Sequence, residues 1–287
     1  MTPSHAATEL GANMERYAIS VRRFSAALGL IILGACQTAA GQGACQPDDR
    51  VTFVQGDGEC LAIQTYPTAG ARTLVIVLHG DLSGGGGAEY IFPVAEQARD
   101  MGATAVAMMR LGYSGGGRSS TGPASRNEPR NQIYTSNEMD AIADATRRLA
   151  DHHGAEEVVM IGHSGGAVMT GVILGRHPGL VDRALLLSCP CHIPDWRRAR
   201  GRNPLAAAES PHEYLEAVPA ETVIHLVVGA EDSNTRPFLS ENYGEDAVAR
   251  GLDATVTVVE GAGHNFNSDM RDSAGFQAAL RAAVLGE

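Results

Sequence analysis

The stretch Gly162-His163-Ser164-Gly165-Gly166 decides how the rest of this 287-residue chain is interpreted. An apolar run at 157–161 precedes it and predicts a buried strand, and the segment 167–177 that follows has helical character. Strand, Gly-x-Ser-x-Gly and helix in this order are typical of a nucleophile elbow, a turn so tight that only glycine-sized neighbours leave room for the serine. The pattern therefore predicts that Ser164 is a catalytic nucleophile.

Two further strand-like runs lead to residues that would complete a catalytic triad. The run 222–228 leads to Glu231 and Asp232, and the run 254–259 leads to His264. Residues just past the carboxyl ends of parallel strands gather at one edge of an α/β sheet. Because a serine hydroxyl is a weak nucleophile, it needs a base and a carboxylate that orients the base. His264 is the expected base and Asp232 the expected carboxylate, with the adjacent Glu231 as the alternative.

These residues resemble the α/β-hydrolase superfamily over roughly 51–285. The nucleophile, the acid and the histidine occur in that superfamily's chain order. The spacings Gly229-x-x-Asp232 and Gly261-x-Gly263-His264 are similar to its acid and base turns. The resemblance implies an α/β-hydrolase fold, with a mostly parallel central sheet flanked by helices, and a serine hydrolase that forms an acyl-enzyme.

The resemblance also indicates an oxyanion hole. A continuous apolar run at 73–78 predicts a strand buried on both faces, and Asp81 lies in the turn that follows it. In α/β-hydrolases this turn supplies one backbone N–H group, and the residue after the nucleophile supplies the other. The implied donors are therefore the amides of Asp81 and Gly165. The four glycines at 84–87 are expected to form a flexible loop.

Two further residues are candidates for the substrate pocket. Tyr113 lies in a segment, Arg110-Leu111-Gly112-Tyr113, that resembles the superfamily's turn after the fourth strand, which lies beside the active site. His163 lies inside the elbow itself. For both side chains, local packing or hydrogen bonding is the alternative to a role in the pocket.

The coarse architecture follows from the alternation of strand-like and helix-like segments. Strands are predicted at 51–54, 60–66, 73–78, 104–109, 157–161, 184–188, 222–228 and 254–259. Helices are predicted at 88–101, 136–153, 165–177, 234–250 and 272–285. A Gly-Asp-Gly turn at 56–58 predicts a hairpin and hence an antiparallel N-terminal edge. Residues 190–221 form a long irregular insertion and are the candidate cap.

The amino-terminal segment has the features of an export signal. Basic residues at 16, 22 and 23 precede an apolar run at 24–35 that is too short to span a bilayer. Leu33-Gly34-Ala35-Cys36 resembles the lipobox of bacterial lipoproteins. We therefore expect a signal peptide at 1–35 with translation starting at Met1 or Met14, lipid on Cys36, a tether at 36–50 and the hydrolase domain at 51–287. The protein is expected to be exported and anchored to a membrane, at the outer membrane or on the periplasmic side. Secretion of an unlipidated chain is the alternative.

The remaining cysteines predict disulfides rather than a metal site. Cys45 and Cys60 flank the first predicted strand and are the expected pair in an oxidising compartment. Cys189 and Cys191 could form a short-loop bridge, join other cysteines or stay reduced. Cys189-Pro190-Cys191-His192 lacks a second ligand pair. No metal and no cofactor is therefore expected.

Charge excludes some functions. The net charge of −11 argues against a nucleic-acid partner, and the chain contains no lysine, so it has no phosphate-binding loop of the Gly-x-x-x-x-Gly-Lys type. Four arginines cluster at Arg197, Arg198, Arg200 and Arg202. The sequence favours a solvated helix face for this cluster, and attraction of an acidic substrate is the alternative.

The expected function is hydrolysis of a small-molecule carboxylic ester or related acyl compound. Ser210-Pro211 through Tyr214 resembles the prolyl-oligopeptidase-like and dienelactone-hydrolase-like branches of the superfamily. An exported serine peptidase is therefore one alternative. A non-catalytic, hydrolase-like binding lipoprotein is the other.

Overall fold

A central sheet of eight strands carries the fold. The residues that the structure describes form ten strands: β1 Phe53–Gly56, β2 Glu59–Tyr66, β3 Thr73–Leu78, β4 Thr104–Met108, β5 Ser114–Gly115, β6 Arg118–Ser119, β7 Glu157–His163, β8 Arg183–Leu187, β9 Val223–Gly229 and β10 Asp253–Val259. In the sheet their order is β1-β2-β4-β3-β7-β8-β9-β10, and β5 and β6 form a separate hairpin. β2 pairs antiparallel with both β1 and β4, whereas the other neighbours are parallel. The predicted architecture, mostly parallel with an antiparallel N-terminal edge, is confirmed.

The structure, a computed structural model, describes residue 45 and residues 47–83, 85–123 and 133–287. The predicted signal peptide at 1–35, the lipidation site Cys36 and most of the tether at 36–50 lie outside these residues. Within the described ranges, no helix combines the length and the apolar character that crossing a bilayer requires.

Helices cover both faces of the sheet, which explains why its central strands are apolar throughout. They are α1 Phe92–Asp100, α2 Ser136–His153, α3 Gly165–Arg176, α4 Ile193–Ala199, α5 Pro211–Tyr214, α6 Phe238–Ala249, α7 Ser268–Arg271 and α8 Ala274–Leu285. Buried side chains of α2, α3 and α6 share one core with the sheet, and those of α1 and α8 share a second core on the opposite face. Short 3-10 helices lie at Ala88–Ile91 and Leu215–Ala217.

The insertion at 190–221 is more ordered than its sequence predicts, because it contains α4 and α5 rather than irregular chain alone. Both helices carry proline in their first turn, where the missing N–H group costs nothing. α5 packs against α3 so closely that a Cβ atom at Gly175 would overlap the carbonyl of Tyr214. α3 is therefore covered by the sheet on one side and by α5 on the other, which accounts for its almost wholly apolar sequence.

The four cysteines that the structure describes are paired. Cys45 is bonded to Cys60 in β2, as the sequence predicts, so the segment before β1 is fixed to the sheet. Cys189 and Cys191 form a short-loop bridge, one of the three outcomes that the sequence leaves open. Among the described residues, no group of three or more histidine, cysteine or acidic side chains is arranged to hold a metal ion.

Candidate active site

The turn between β7 and α3 holds Ser164 in a strained conformation. Its backbone has φ 54° and ψ −114°, a region that non-glycine residues rarely occupy and that is characteristic of functional sites. The Ser164 amide donates to the carbonyl of Leu187, and the Ser164 carbonyl accepts from the first turn of α3. A Cβ atom at Gly162 or Gly166 would overlap neighbouring backbone carbonyls. The two glycines of the motif are therefore required by close packing of the backbone.

Three side chains predicted from the sequence come together beside this turn. The Nε2 atom of His264 lies 3.0 Å from the Oγ atom of Ser164, and its Nδ1 atom lies 2.9 Å from the Oδ2 atom of Asp232. The side chain of Asp232 is fully buried, whereas that of His264 is 20% exposed and faces the cleft. Because the carboxylate accepts a hydrogen bond from Nδ1, the Nε2 atom is left to accept the proton of Ser164.

The turn after β9 selects Asp232 rather than Glu231. The Oδ1 atom of Asp232 accepts from the amides of Asn234 and Thr235, at 2.9 and 2.7 Å, and its Oδ2 atom accepts from the Thr235 hydroxyl at 2.7 Å. Burial opposes ionisation of Asp232, but the bonds from His264 and Thr235 outweigh it and hold the pKa of this carboxyl below its ordinary value. Glu231 is exposed at the surface.

Thr235 is a further residue of this site, outside the predicted triad. Its Oγ1 atom also lies 3.1 Å from the Nδ1 atom of His264. A threonine three residues after the acid, within a turn, is a local signal of this arrangement, because its hydroxyl and amide can both reach back to the carboxylate.

The candidate oxyanion residue Asp81 is held from several directions. Its Oδ1 atom lies 2.8 Å from Nη1 of Arg110, and its Oδ2 atom accepts a hydrogen bond from the Tyr134 hydroxyl. The Tyr113 hydroxyl donates to the Asp81 backbone carbonyl at 3.0 Å. A Cβ atom at position 165 would overlap the Asp81 carboxylate, so the two candidate donors, Asp81 and Gly165, belong to segments in contact.

Arg110 anchors this network as a buried cation. Its side chain is fully buried and bridges Asp81 to Glu138, whose Oε1 atom lies 3.1 Å from Nε. Burial disfavours the charge, but the two carboxylates outweigh it and raise the pKa of Arg110 above its ordinary value. The sequence places Arg110 in a recognisable turn but gives no sign of its two partners, because they lie on other elements.

Tyr113 does not line the cleft. Its side chain is fully buried beneath the turn, where its ring packs edge-on against His79 at 4.8 Å. The structure therefore corrects the expectation that Tyr113 is a pocket residue, since its hydroxyl is used to hold Asp81.

His163 does reach the cleft wall, as the sequence predicts, and it also supports His264. The amide of Gly80 donates to the oxygen of the Tyr90 hydroxyl. The same hydroxyl donates its proton to Nδ1 of His163 at 2.9 Å. The Nε2 atom of His163 then donates to the carbonyl of His264 at 3.0 Å. Burial, with a further contribution from nearby His264, lowers the pKa of His163 to about 4, so this imidazole is neutral near pH 7.

A cleft of about 650 Å³ opens above Ser164. Its wall is built from the turn after β3, the elbow, the segment containing α4 and the turns after β9 and β10. Trp196 of α4, Ile133 and Phe266 contribute apolar surface, and Asn234 contributes an amide. The cleft is large enough for a small organic substrate.

Comparisons with known proteins identify the family and support the fold. A family model described as alpha/beta hydrolase fold matches residues 73–250. The chain belongs to the α/β-hydrolase family. It is a hydrolase of that family, with the predicted fold. No curated protein matches its sequence significantly.

Several solved structures are similar to this hydrolase in fold. They include the esterase PF2001 from Pyrococcus furiosus, with 15% identity, a TM-score of 0.63 and coverage of 85% of this chain and 95% of that chain. Est1E from Butyrivibrio proteoclasticus, with bound ferulic acid, has 15% identity, a TM-score of 0.58 and coverage of 82% and 96%. Proline iminopeptidase from Mycobacterium smegmatis has 14% identity, a TM-score of 0.58 and coverage of 82% and 99%.

Proposed function

We propose that this hydrolase cleaves a carboxylic ester through an acyl-enzyme intermediate on Ser164. The observation that carries the proposal is the chain of two short contacts, 3.0 Å from Ser164 to His264 and 2.9 Å from His264 to Asp232. This is the geometry of a nucleophile, a base and a group that orients the base. Esterases among the proteins of similar fold support the choice of substrate class.

Acylation begins when the Oγ atom of Ser164 attacks the ester carbonyl carbon. As the new C–O bond forms, the hydroxyl proton moves to Nε2 of His264, and Asp232 stabilises the imidazolium. The tetrahedral intermediate collapses, the bond to the alcohol oxygen breaks, and His264 returns the proton to that oxygen. The alcohol leaves, and the acyl group stays on Ser164.

Deacylation repeats these steps with water as the nucleophile. His264 takes a proton from the water, whose oxygen attacks the acyl carbon, and then returns the proton to the Oγ atom of Ser164 as the carboxylic acid leaves. In both halves the negative charge on the carbonyl oxygen is stabilised by the amides of Asp81 and Gly165. Loss of one such donor typically costs about 3 kcal/mol in the transition state.

An ester suits this cleft better than the amino terminus of a peptide. A substrate of an aminopeptidase carries a protonated α-amine, which is repelled by guanidinium groups. Arg197, Arg200 and Arg202 all contribute to the cleft wall. The charge of the wall therefore favours the esterase over the peptidase.

Labelling with a fluorophosphonate probe tests the role of Ser164. Wild-type protein should be labelled on the peptide that contains Ser164, and Ser164→Ala should not be labelled. Ser83→Ala is a matched control, since Ser83 also lines the cleft, and it should still be labelled. Equal labelling of wild type and Ser164→Ala would remove Ser164 from the mechanism.

The base is tested separately with a neutral substrate such as 4-nitrophenyl butyrate. His264→Ala should lower kcat by several orders of magnitude, because the residues of a triad act together. Turnover equal to that of the wild type would exclude His264 as the base.

We also propose that the hydrolase acts outside the cytoplasm and is tethered to a membrane by lipid on Cys36. Two disulfides support export, because such bonds persist in oxidising compartments. The lipobox-like sequence supports the anchor itself.

A further inference from the structure

Arginines that follow one another along the candidate cap lie in the wall of the cleft beside Ser164. Arg197 belongs to α4, and Arg200 and Arg202 come directly after that helix. The sequence favours a solvated helix face for this cluster, and Arg198 fits that expectation, because its side chain is 75% exposed and pairs with Asp195 on the same helix. Arg202 is also exposed, whereas Arg200 is half-buried and Arg197 is buried. Arg197, Arg200 and Arg202 line the cleft in which a substrate would bind.

Trp196 holds two of these guanidinium groups in place. The Cζ atoms of Arg197 and Arg200 lie 5.8 and 5.3 Å from the centroid of the Trp196 ring, within the range of cation–π attraction. Trp196 is itself fixed, since its Nε1 atom donates to the carbonyl of Asn234 at 3.0 Å. Arg200 also donates to the Asn234 side-chain oxygen, and Arg197 donates from Nε to the carbonyl of Asn203 at 2.7 Å.

These contacts make Arg197 and Arg200 a prepared binding surface. A flexible arginine loses conformational entropy when it binds an anion, and a guanidinium that is already fixed loses less. Arg197 is also 7% exposed, so it is held in a largely dry environment where its charge acts more strongly.

The described residues of the wall carry charge that is opposite in sign to that of the whole protein. The chain has a net charge of −11. Among the described residues that line the cleft, three are arginines, whereas the single carboxylate, Asp81, is bridged to buried Arg110. A cleft lined by one sign of charge raises the local concentration of ligands of the opposite sign.

We propose that the ester substrate carries a carboxylate, which Arg197, Arg200 and Arg202 bind while Ser164 attacks the ester carbonyl. A planar guanidinium pairs with a carboxylate through two parallel hydrogen bonds, which gives direction as well as attraction. This inference rests on the proposed esterase function and adds the substrate class to it.

Two pairs of substrates test the proposal and show which side of the ester carries the charge. The first pair places the charge on the acyl group. It compares mono(4-nitrophenyl) adipate with 4-nitrophenyl adipamate, in which an amide replaces the free acid. The second pair places it on the leaving group: 3-carboxyphenyl butyrate against 3-carbamoylphenyl butyrate. A charge-assisted hydrogen bond contributes roughly 1.5–3 kcal/mol, so kcat/KM should be about tenfold or more higher for the acid in one pair. Added salt should reduce that preference.

Variants of the cluster identify the residues responsible. Arg200→Gln and Arg202→Gln should each lower the ratio of kcat/KM between acid and amide by about tenfold, the effect of losing one charge-assisted contact. Arg198→Gln is the matched control, because it removes an arginine from the same segment that does not line the cleft. It should leave the ratio unchanged.

The single tryptophan of the chain gives a readout that does not depend on catalysis. Because the guanidinium groups of Arg197 and Arg200 both lie over the Trp196 ring, binding of adipate should change the fluorescence of Trp196 in a saturable way, and adipamide should not. Arg200→Gln should weaken the adipate response, and Arg198→Gln should not.

The outcomes separate this proposal from the esterase function. Ester hydrolysis that depends on Ser164 but shows no preference for either acid would overturn the carboxylate site and leave the esterase intact. Saturable binding of adipate without hydrolysis of any ester would support the site and contradict the esterase. An equal fluorescence response to adipate and adipamide would also count against the site.

Discussion

The Oδ2 atom of Asp232 lies 2.9 Å from the Nδ1 atom of His264, although the turns that carry them follow different strands, β9 and β10. These strands are parallel neighbours in the sheet, so their carboxyl ends bring the two turns together. The contact fixes one tautomer of the imidazole and directs Nε2 towards Ser164.

Asp232→Asn should therefore leave the fold intact while favouring the wrong tautomer of His264, with a loss of about 10⁴ in kcat. Glu231→Gln is the matched control, because this neighbouring carboxylate is exposed and should change kcat little. Steady-state kinetics on 4-nitrophenyl butyrate, with circular dichroism to check folding, measures both. A larger loss in Glu231→Gln would transfer the role to Glu231.

Tyr134→Phe should lower kcat with little change in KM. The variant removes the hydroxyl that donates to the Asp81 carboxylate, so the proposed oxyanion donor at Asp81 is held less firmly. We expect a loss of about tenfold in kcat, since small displacements of catalytic groups are costly. Tyr243→Phe is the control: Tyr243 is equally buried, but its hydroxyl lies outside this network. An increase in KM at constant kcat would point instead to a role in substrate binding.

The stability of the protein should depend on pH through His163. Its pKa falls from 6.5 to about 4 on folding, because the folded protein buries it as a neutral ring. Between these values the unfolded chain binds a proton that the folded chain does not, so the free energy of unfolding decreases as the pH falls from 6.5 to 4. The contribution of this one group is about 3 kcal/mol over the window.

Urea denaturation at several pH values compares the wild type with His163→Gln. The variant should be less stable at pH 7.5, because it loses the hydrogen bonds to Tyr90 and His264. Its deficit should shrink as the pH falls through the window. A difference between the two proteins that stays constant from pH 7.5 to 4.5 would contradict the lowered pKa.

Cys36→Ser should release the protein from the membrane. A single acyl chain binds only reversibly, so a stable anchor needs more than one chain, as a lipoprotein-type modification provides. Cells that express the full chain or the variant are fractionated, and the intact mass of the mature amino terminus is measured. A wild-type protein that is soluble, unlipidated and begins after Cys36 would exclude the anchor and leave export possible.

Local spacing in the sequence is enough to predict most of the fold. The apolar run of β3 is buried on both faces, and its bounds, Thr73–Leu78, match the prediction of 73–78. α2 likewise spans the predicted 136–153, because a periodic helix ended by a glycine at 154 is a local signal. By contrast, the helix predicted at 234–250 begins at Phe238, since residues before it form the turn that holds Asp232.

The sequence by itself determined the order of the elements, the elbow around Ser164 and the strand ends at which Asp232 and His264 lie, because these depend on neighbours along the chain. Only the tertiary structure decided the direction of the side chains that leave the turns. It placed Tyr113 beneath the cleft and Arg200 in its wall. The physical reason is that a side chain in a turn is oriented by contacts with other elements, such as Asp81 for Tyr113 and Trp196 for Arg200, which no local spacing specifies.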